Sequence, residues 1–175
     1  MARIERGIIV FEVGDYVIYG TKGVCKVEEI GVPAVAEGSD KQYYTLAPIY
    51  TKGSRIFTPV DNKRVLIRPL ITRKEADLLI DDIVNIETLW VPDEKKREEI
   101  YKNILNTCDC REILKIIKTV YKRKQDRIAE GKKITSKDEK YLQIAENAVY
   151  GELAVVFCKK KEEMEQYITD RVSVI

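Results

Sequence analysis

The pattern of the sequence changes near residue 70, and this change most limits the folds open to the chain. Before it, short runs rich in β-branched and aromatic residues alternate with glycine, proline and aspartate, which is typical of strands and turns. After it, apolar residues recur every three or four positions, which is typical of helices. A chain of 175 residues is long enough for two small domains. We therefore predict an α+β protein with a β domain at 1–70 and an all-helical domain at 71–175.

The β part opens with a strand, a glycine-marked turn and a second strand at 11–30. Gly20 and Gly23 bound the turn, and a long loop follows at 31–40. Five strands this short would expose both edges of a flat sheet, so we expect a strongly bent sheet or a small barrel. The five predicted strands lie at 16–19, 24–30, 42–49, 55–59 and 64–67.

Helix-start signals recur through the second part. Capping boxes, in which a Thr or Ser precedes a Glu by three residues, occur at 72–75 and 136–139. Pro92 and Asp93 mark the start of a further helix. Apolar residues at helical spacing predict that the helices pack into one core. After a first helix near 72, the predicted helices lie at about 93–105, 110–130, 136–157 and 161–172.

The sequence contains little that is typical of an enzyme or a metalloprotein. It has no histidine, which removes the commonest general base and the usual partner of a nucleophilic Ser or Cys. Asp81 and Asp82 are candidate acids for a small metal-dependent nuclease, but neighbours on a helix point in different directions. We therefore expect no enzymatic activity, no metal site and no cofactor. Four cysteines show no disulfide or zinc spacing, and we expect reduced thiols at Cys25, Cys108, Cys110 and Cys158.

The net charge of +2 hides a basic segment at 114–133, which carries eight Lys or Arg residues and two acidic residues. Lys115, Lys118 and Lys122 recur on neighbouring turns and form a stripe beside the apolar face of that helix. Such a stripe can neutralise phosphates, and it can equally be a solvated face whose lysines cover apolar surface. With a pI near 8.2, the sequence predicts that this stripe alone binds nucleic acid weakly and with steep salt dependence.

The run at 11–30, together with the segments 41–46 and 56–60, resembles the RNA-polymerase-interacting domain of the CarD family of bacterial transcription regulators. The same domain occurs in the transcription-repair coupling factor, but this chain is too short to hold that protein's helicase motor. The order of further segments extends the resemblance through the helical part. Those segments are 101–105, 117–123, 136–142 and 151–154.

The resemblance implies that a Tudor-like β domain docks on the β subunit of RNA polymerase. In this contact, an edge strand of the β domain would pair with a strand of the partner. We place the contact on residues 42–49 and 55–59 of this chain. Family members often carry an arginine where Phe57 stands here, and Arg55 lies two residues earlier on the same strand face. Ordinary strand packing is the alternative for these residues. The polymerase-binding candidates are Tyr44, Leu46, Arg55, Phe57 and Pro59.

The resemblance also implies that the helical domain contacts promoter DNA at the upstream edge of the melted region. Family members often place a Trp wedge four residues before the Tyr that aligns with Tyr101, and Arg97 stands there instead. Glu98 and Glu99 follow Arg97 and would repel phosphate. The single Trp of the chain, Trp90, is out of register, so it is a candidate wedge from the loop or a residue packed at the interdomain seam. The DNA-binding candidates are Arg97, Lys102, Lys118, Lys122, Arg123 and Lys140.

We therefore predict a bacterial transcription regulator that binds the polymerase β subunit and stabilises the promoter open complex. The alternative is a polymerase-binding adaptor, or a competitor of other regulators, with little DNA affinity of its own, and the acidic residues after Arg97 favour it. No stretch approaches the roughly 20 apolar residues that span a bilayer, and the N-terminus lacks a signal-peptide pattern. We expect a cytoplasmic monomer with no membrane partner.

Overall fold

Strands fill the N-terminal part of the chain and helices the C-terminal part, so the predicted α+β class is confirmed. The chain divides into two compact units, Met1–Leu70 and Ile71–Ile175, which we call the β unit and the helical unit. The residues that the computed structural model describes are 3–5, 8–36, 38, 40–91 and 93–173.

The described residues of the β unit form a two-stranded antiparallel sheet and a five-stranded antiparallel sheet. The smaller sheet pairs β1 (Arg3–Glu5) with β2 (Ile8–Val10), two strands that the sequence pattern did not predict. The strands of the larger sheet are β3 (Tyr16–Tyr19), β4 (Val24–Gly31), β5 (Tyr43–Pro48), β6 (Ile56–Pro59) and β7 (Ile67–Pro69). Across this sheet their order is β6-β5-β4-β3-β7.

The core of the β unit lies against one face of the larger sheet. Val17, Val27 and Leu46, on three adjacent strands, have none of their surface exposed. Phe11 covers this face and packs edge-on against Tyr44, with 5.9 Å between the ring centroids. Full burial of such apolar side chains stabilises the fold by about 1.5–3 kcal/mol each. Because strand side chains alternate between the faces, this burial also fixes the register of the sheet.

The sheet stays open, so the predicted Tudor-like barrel is not closed. Among the described residues, β6 and β7 each pair with one neighbour and form the two edges. Asn62 holds the segment before β7 in a turn, because its side chain accepts from the amide of Arg64 (2.9 Å) and donates to the carbonyl of Val65 (2.8 Å). The predicted strand at 64–67 is therefore displaced to Ile67–Pro69. A strand of three residues offers few hydrogen bonds with which to close a sheet.

In the described part of the helical unit there are five α-helices, and short 3-10 turns follow the first and precede the last. The helices are α1 (Arg73–Asp81), α2 (Arg97–Thr107), α3 (Cys110–Ala129), α4 (Ser136–Phe157) and α5 (Met164–Val172).

Side-chain caps explain where α1 and α4 begin. Thr72 Oγ1 accepts from the amide of Glu75 (3.2 Å), and the Glu75 carboxylate accepts from the amide of Thr72 (2.7 Å), which confirms this capping box. The cap of α4 is Thr135, whose hydroxyl oxygen accepts from the amide of Asp138 (3.1 Å). The capping box predicted at 136–139 is therefore wrong, because the cap lies one residue earlier.

α2 begins later than the sequence predicts. The segment 94–96 forms a turn, in which the amide of Lys95 donates to Asp93 Oδ1 (2.9 Å), and the helix starts at Arg97. Pro92, at the predicted start, lies outside the described residues.

The apolar stripes of the long helices meet in one core, as their spacing predicts. Tyr101 of α2 and Tyr141 of α4 pack edge-on within it, with 5.5 Å between their ring centroids. Among the described residues, none of the helices combines the length and the apolar character that crossing a bilayer requires. Core residues of α3 and α4 with none of their surface exposed include Ile116, Val120, Ala145, Val149 and Leu153.

Candidate polymerase and nucleic-acid interfaces

β6 leaves one side of its backbone without a strand partner among the described residues. β5 differs, because it pairs with β4 on one side and with β6 on the other. Strand addition needs unpaired backbone N–H and C=O groups, so β6 offers them and β5 does not. Of the two segments predicted for docking, 55–59 therefore keeps an available edge and 42–49 does not.

Tyr44 and Leu46 lie on the buried face of β5, with 2% and 0% of their surface exposed. The Tyr44 hydroxyl also accepts a hydrogen bond from the amide of Phe11 (3.2 Å). Both are core residues, as ordinary strand packing predicts, and neither side chain is exposed in this fold. The sequence did not separate the two roles, because apolar residues can occupy either face of a strand.

Arg55, Phe57 and Pro59 form an outward row at β6, which we call the β6 patch. Phe57 is 40% exposed and lies opposite Thr45 on β5. The Arg55 guanidinium donates to the Glu28 carboxylate (3.1 Å) at the surface. Solvent screens such an exposed ion pair, so Arg55 can exchange Glu28 for an acidic group of a partner at little cost.

Arg97 is buried on α2 and binds the fully buried carboxylate of Asp138. One guanidinium nitrogen lies 2.9 Å and 3.2 Å from the two Asp138 oxygens. Glu94 pairs with the same guanidinium, and Arg123 reaches Glu94 (2.9 Å) and Asp138 (3.4 Å). Buried charges persist in proteins only when they are paired. Arg97 is therefore not available to DNA, contrary to the prediction, and Arg123 belongs to the same internal network.

Lys118 also forms contacts within the helical unit. Its ammonium group donates to the backbone carbonyls of Ile83 (2.8 Å), Val84 (3.2 Å) and Ile86, in and just after the 3-10 turn that follows α1. An ammonium has three donors, so these contacts use them all. The prediction that Lys118 binds a phosphate is therefore not supported by its position.

Lys102 stays exposed on α2 but pairs with Glu98 (3.1 Å). Glu98 also accepts from the Tyr141 hydroxyl (2.9 Å) and pairs with Lys137 (3.3 Å). The Tyr141 hydrogen bond, followed by those from the two lysines, lowers the pKa of Glu98 to about 2. Neighbouring cations thus offset the negative charge of Glu98 and weaken the repulsion of phosphate that the sequence predicts here.

Lys122 and Lys140 are the remaining DNA-binding candidates, and both are exposed. The Lys140 ammonium lies 5.5 Å from the centroid of the Tyr141 ring, where the electron-rich face attracts a cation. Neither lysine forms an ion pair with any carboxylate in the described part of the chain. These two side chains therefore keep their charge available to a phosphate.

Trp90 is 83% exposed, so its side chain is not part of the core of the helical unit. The amide of Leu89, just before it, donates to Thr119 Oγ1 (2.7 Å) and ties the loop to α3. The role of Thr119 carries no sequence signal, because a Thr within an apolar helix stripe is compatible with ordinary core packing.

Asp81 and Asp82 do not come together as a pair. Asp82 binds Arg111 (2.5 Å), whereas Asp81 binds Arg171 on α5. In the segments that the structure describes, no three Cys, Asp or Glu residues are grouped so that they could hold a metal ion. The four cysteines form no disulfide with one another, and burial raises the pKa of Cys25 to about 11.

Comparison with known proteins bears on the β unit. Residues 11–71 match the family model of the CarD-like/TRCF RID domain. The matched segment includes the whole five-stranded sheet with its β6 edge and stops at the start of the helical unit. No curated protein matches the chain significantly. The resemblance seen in the sequence is thus confirmed over residues 11–71, where the chain carries a CarD-like RNA-polymerase-interacting domain with RNA polymerase as its indicated partner.

Proposed function

We propose that this protein is a bacterial transcription regulator that binds the β subunit of RNA polymerase through β6. The observation that carries the proposal is the open β6 edge inside the matched segment 11–71. A strand of the partner would add to this edge, with main-chain hydrogen bonds supplying affinity and side chains supplying specificity. The protein acts in this proposal by binding alone, as a cytoplasmic monomer without a cofactor.

The β6 patch supplies the side chains for this contact. Phe57 is a half-exposed aromatic residue on an edge strand, and aromatic residues are enriched among those that dominate interface energies. Arg55 adds a cation whose present partner, Glu28, is itself exposed. On docking, Arg55 could leave Glu28 and pair with an acidic residue of the partner. This exchange would favour a partner surface that is acidic at this position.

The helical unit would then contact promoter DNA and stabilise the open complex. A bound regulator shifts the equilibrium toward the open complex only if it binds that state better than the closed one. The exposed lysines Lys122 and Lys140 support this role, because ammonium groups near phosphates displace condensed counterions. With so few available cations, the contact should be weak alone and should gain strength from docking on the polymerase.

The second candidate is a polymerase-binding adaptor or competitor with little DNA affinity. The internal use of Arg97, Lys118 and Arg123 favours it, because three of the six candidate cations are bound to groups of the fold itself.

The lifetime of preformed open complexes, measured after addition of a competitor, tests the main proposal and separates the two. The regulator should lengthen the lifetime, and Phe57→Asp should abolish the effect. Tyr16→Asp is the matched control, because Tyr16 has a similar exposure of 42% but lies on β3 inside the sheet. If the protein binds polymerase but leaves the open-complex lifetime unchanged, the adaptor function is favoured instead.

A further inference from the structure

A groove of about 580 Å³ lies on the helical unit, between α1 and the start of α3. Leu78 and Leu79 give it an apolar surface, and Leu78 keeps 60% of its own surface exposed. An open groove of this kind suits a segment of another protein, whereas a small molecule is usually enclosed on most sides. The residues that line the groove are Glu75, Leu78, Leu79, Asp81, Asp82 and Arg111.

The groove is acidic, although the chain as a whole is slightly basic. Three of its six lining residues carry carboxylates and one carries a cation. The segment 71–87 around it has five acidic and two basic residues, whereas the whole chain has a net charge of +2. Hydrogen bonds from Asn85 and Arg111 lower the pKa of Asp82, so this carboxylate is ionised at neutral pH. Such a surface repels phosphates and attracts Lys and Arg side chains.

Ion pairs hold the acidic side of the groove in place. Arg171 of α5 binds Asp77 (2.5 Å) and Asp81 of α1. Arg111 of α3 binds Asp82 (2.5 Å) just after α1. The Asp81 side chain nevertheless remains 51% exposed, so a second cation can approach it. Because the groove is already formed in the free protein, binding of a partner would need little reordering of these side chains.

We propose that this groove binds a basic amphipathic helix of a partner protein. Apolar side chains of that helix pack on Leu78 and Leu79, while its Lys or Arg residues pair with Asp81 and Asp82. Residues three or four positions apart share one face of a helix, so a single helix presents both kinds of side chain. The groove is built from helices and offers no strand edge, which favours a helical ligand over an added strand.

This site is separate from the polymerase contact of the proposed function. The groove lies in the helical unit, whereas the β6 patch lies in the β unit. The apolar contact supplies affinity by removing leucine surface from water, and the carboxylates select a basic partner over an acidic one.

A synthetic helical peptide of about 18 residues, roughly five turns, is the probe. It carries Leu on one face and Lys on the other, and a second peptide with Glu in place of every Lys is the charge control. Calorimetric titration of the intact chain should show binding of the Lys peptide and at least about ten-fold weaker binding of the Glu peptide. Added salt should weaken binding of the Lys peptide, because it screens the ion pairs. Amide shifts in NMR spectra should be largest at Leu78, Leu79 and Arg111.

Variants separate the groove from general attraction between opposite charges. Leu78→Lys should weaken binding of the Lys peptide at least about ten-fold, because it removes an apolar contact and adds a cation. Ile128→Lys is the matched control, since Ile128 is a 59% exposed apolar residue on α3 that does not line the groove, and the affinity should not change. Asp81→Asn should weaken binding about three-fold and flatten its salt dependence. Glu87→Gln, an exposed acid that does not line the groove, is its control. Circular dichroism establishes that each variant keeps its helices.

Four outcomes would overturn the groove as a site for a basic helix. They are no binding of the Lys peptide, equal binding of the Glu peptide, wild-type affinity in Leu78→Lys, and amide shifts centred outside the groove. Sedimentation adds a further test, because self-association that Leu78→Lys abolishes would make a second copy of this chain the occupant instead. These experiments contain no polymerase, so their failure leaves docking through β6 intact. Loss of docking would in turn refute the proposed function and not the groove.

Discussion

The buried pair of Arg97 and Asp138 determines what the start of α2 can do. From its place in the sequence, Arg97 is a candidate for DNA contact, but its guanidinium lies inside the helical unit on a carboxylate with no exposed surface. Arg123 and Glu94 complete the network around this pair. Loss of one member of such a buried pair is costly, because it leaves the other charge uncompensated, and neither group is available at the surface.

Arg97→Ala should lower the free energy of unfolding of the helical unit by about 3 kcal/mol, because it leaves the buried Asp138 carboxylate with the more distant Arg123 as its one cationic partner and the Thr135 hydroxyl as a neutral donor. Urea unfolding followed by helical circular dichroism measures the change. Lys102→Ala is the control, since Lys102 lies on the same helix with a 60% exposed side chain, and its replacement should leave the stability nearly unchanged. Equal stability of the two variants would contradict the buried network.

Glu98 gives the helical unit a stability that depends on pH. Hydrogen bonds from Tyr141, Lys102 and Lys137 lower its pKa from 4.5 to about 2. Because the folded pKa lies below the unfolded one, the stabilisation is present above pH 4.5 and is lost as the pH falls toward 2. Thermal midpoints of wild type and Glu98→Gln should therefore converge over this range. A constant difference between them down to pH 2 would rule out this linkage.

Gly20 determines the conformation of the connection between β3 and β4. Its φ is +46°, and a Cβ there would lie 2.8 Å from Cγ1 of Val65. Gly20→Ala should destabilise the β unit by about 1–3 kcal/mol, since it adds both backbone strain and a clash. Gly31→Ala is the matched control, because its Cβ would meet nothing within 4 Å. Denaturant unfolding of both variants measures the contrast, and a stable Gly20→Ala would disprove the role of this turn.

The sequence predicts elements well where the pattern is local. The capping box at Thr72 and the apolar stripe of α4 appear in the structure as their spacing indicates. The prediction of a closed barrel was wrong. Sheet closure depends on which edges meet, and strand patterns do not contain that information. The displaced β7 has a local cause in the Asn62 turn. Its start was missed because Val65 and Leu66 are also compatible with a strand.

The candidate sites show the same limit at the scale of side-chain contacts. An arginine or lysine on a helix has the same sequence signal whether it faces a phosphate or a buried carbonyl. Lys118 and Lys122 differ by four residues, yet one binds backbone carbonyls and the other is exposed. Such roles are decided by tertiary neighbours, so they could not be predicted from charge patterning.

For the whole molecule, we expect two functions that can be separated by mutation. The β unit carries the polymerase-interacting domain, and the available cations with Trp90 lie in the helical unit. Phe57→Asp should therefore leave binding of the protein to promoter DNA unchanged, and Trp90→Ala should leave polymerase binding unchanged. Fluorescence anisotropy and polymerase retention on the same two proteins provide the comparison. Loss of both activities in either variant would show that the two units act as one site.

Equilibrium binding to the isolated polymerase β subunit is the decisive test of docking through the β6 patch. Wild type and Tyr16→Asp should bind with similar affinity, whereas Phe57→Asp should bind at least about ten-fold more weakly. Unfolding curves of the three proteins establish that each is folded. Absence of binding by the wild type, or equal binding by Phe57→Asp, would rule out docking through β6.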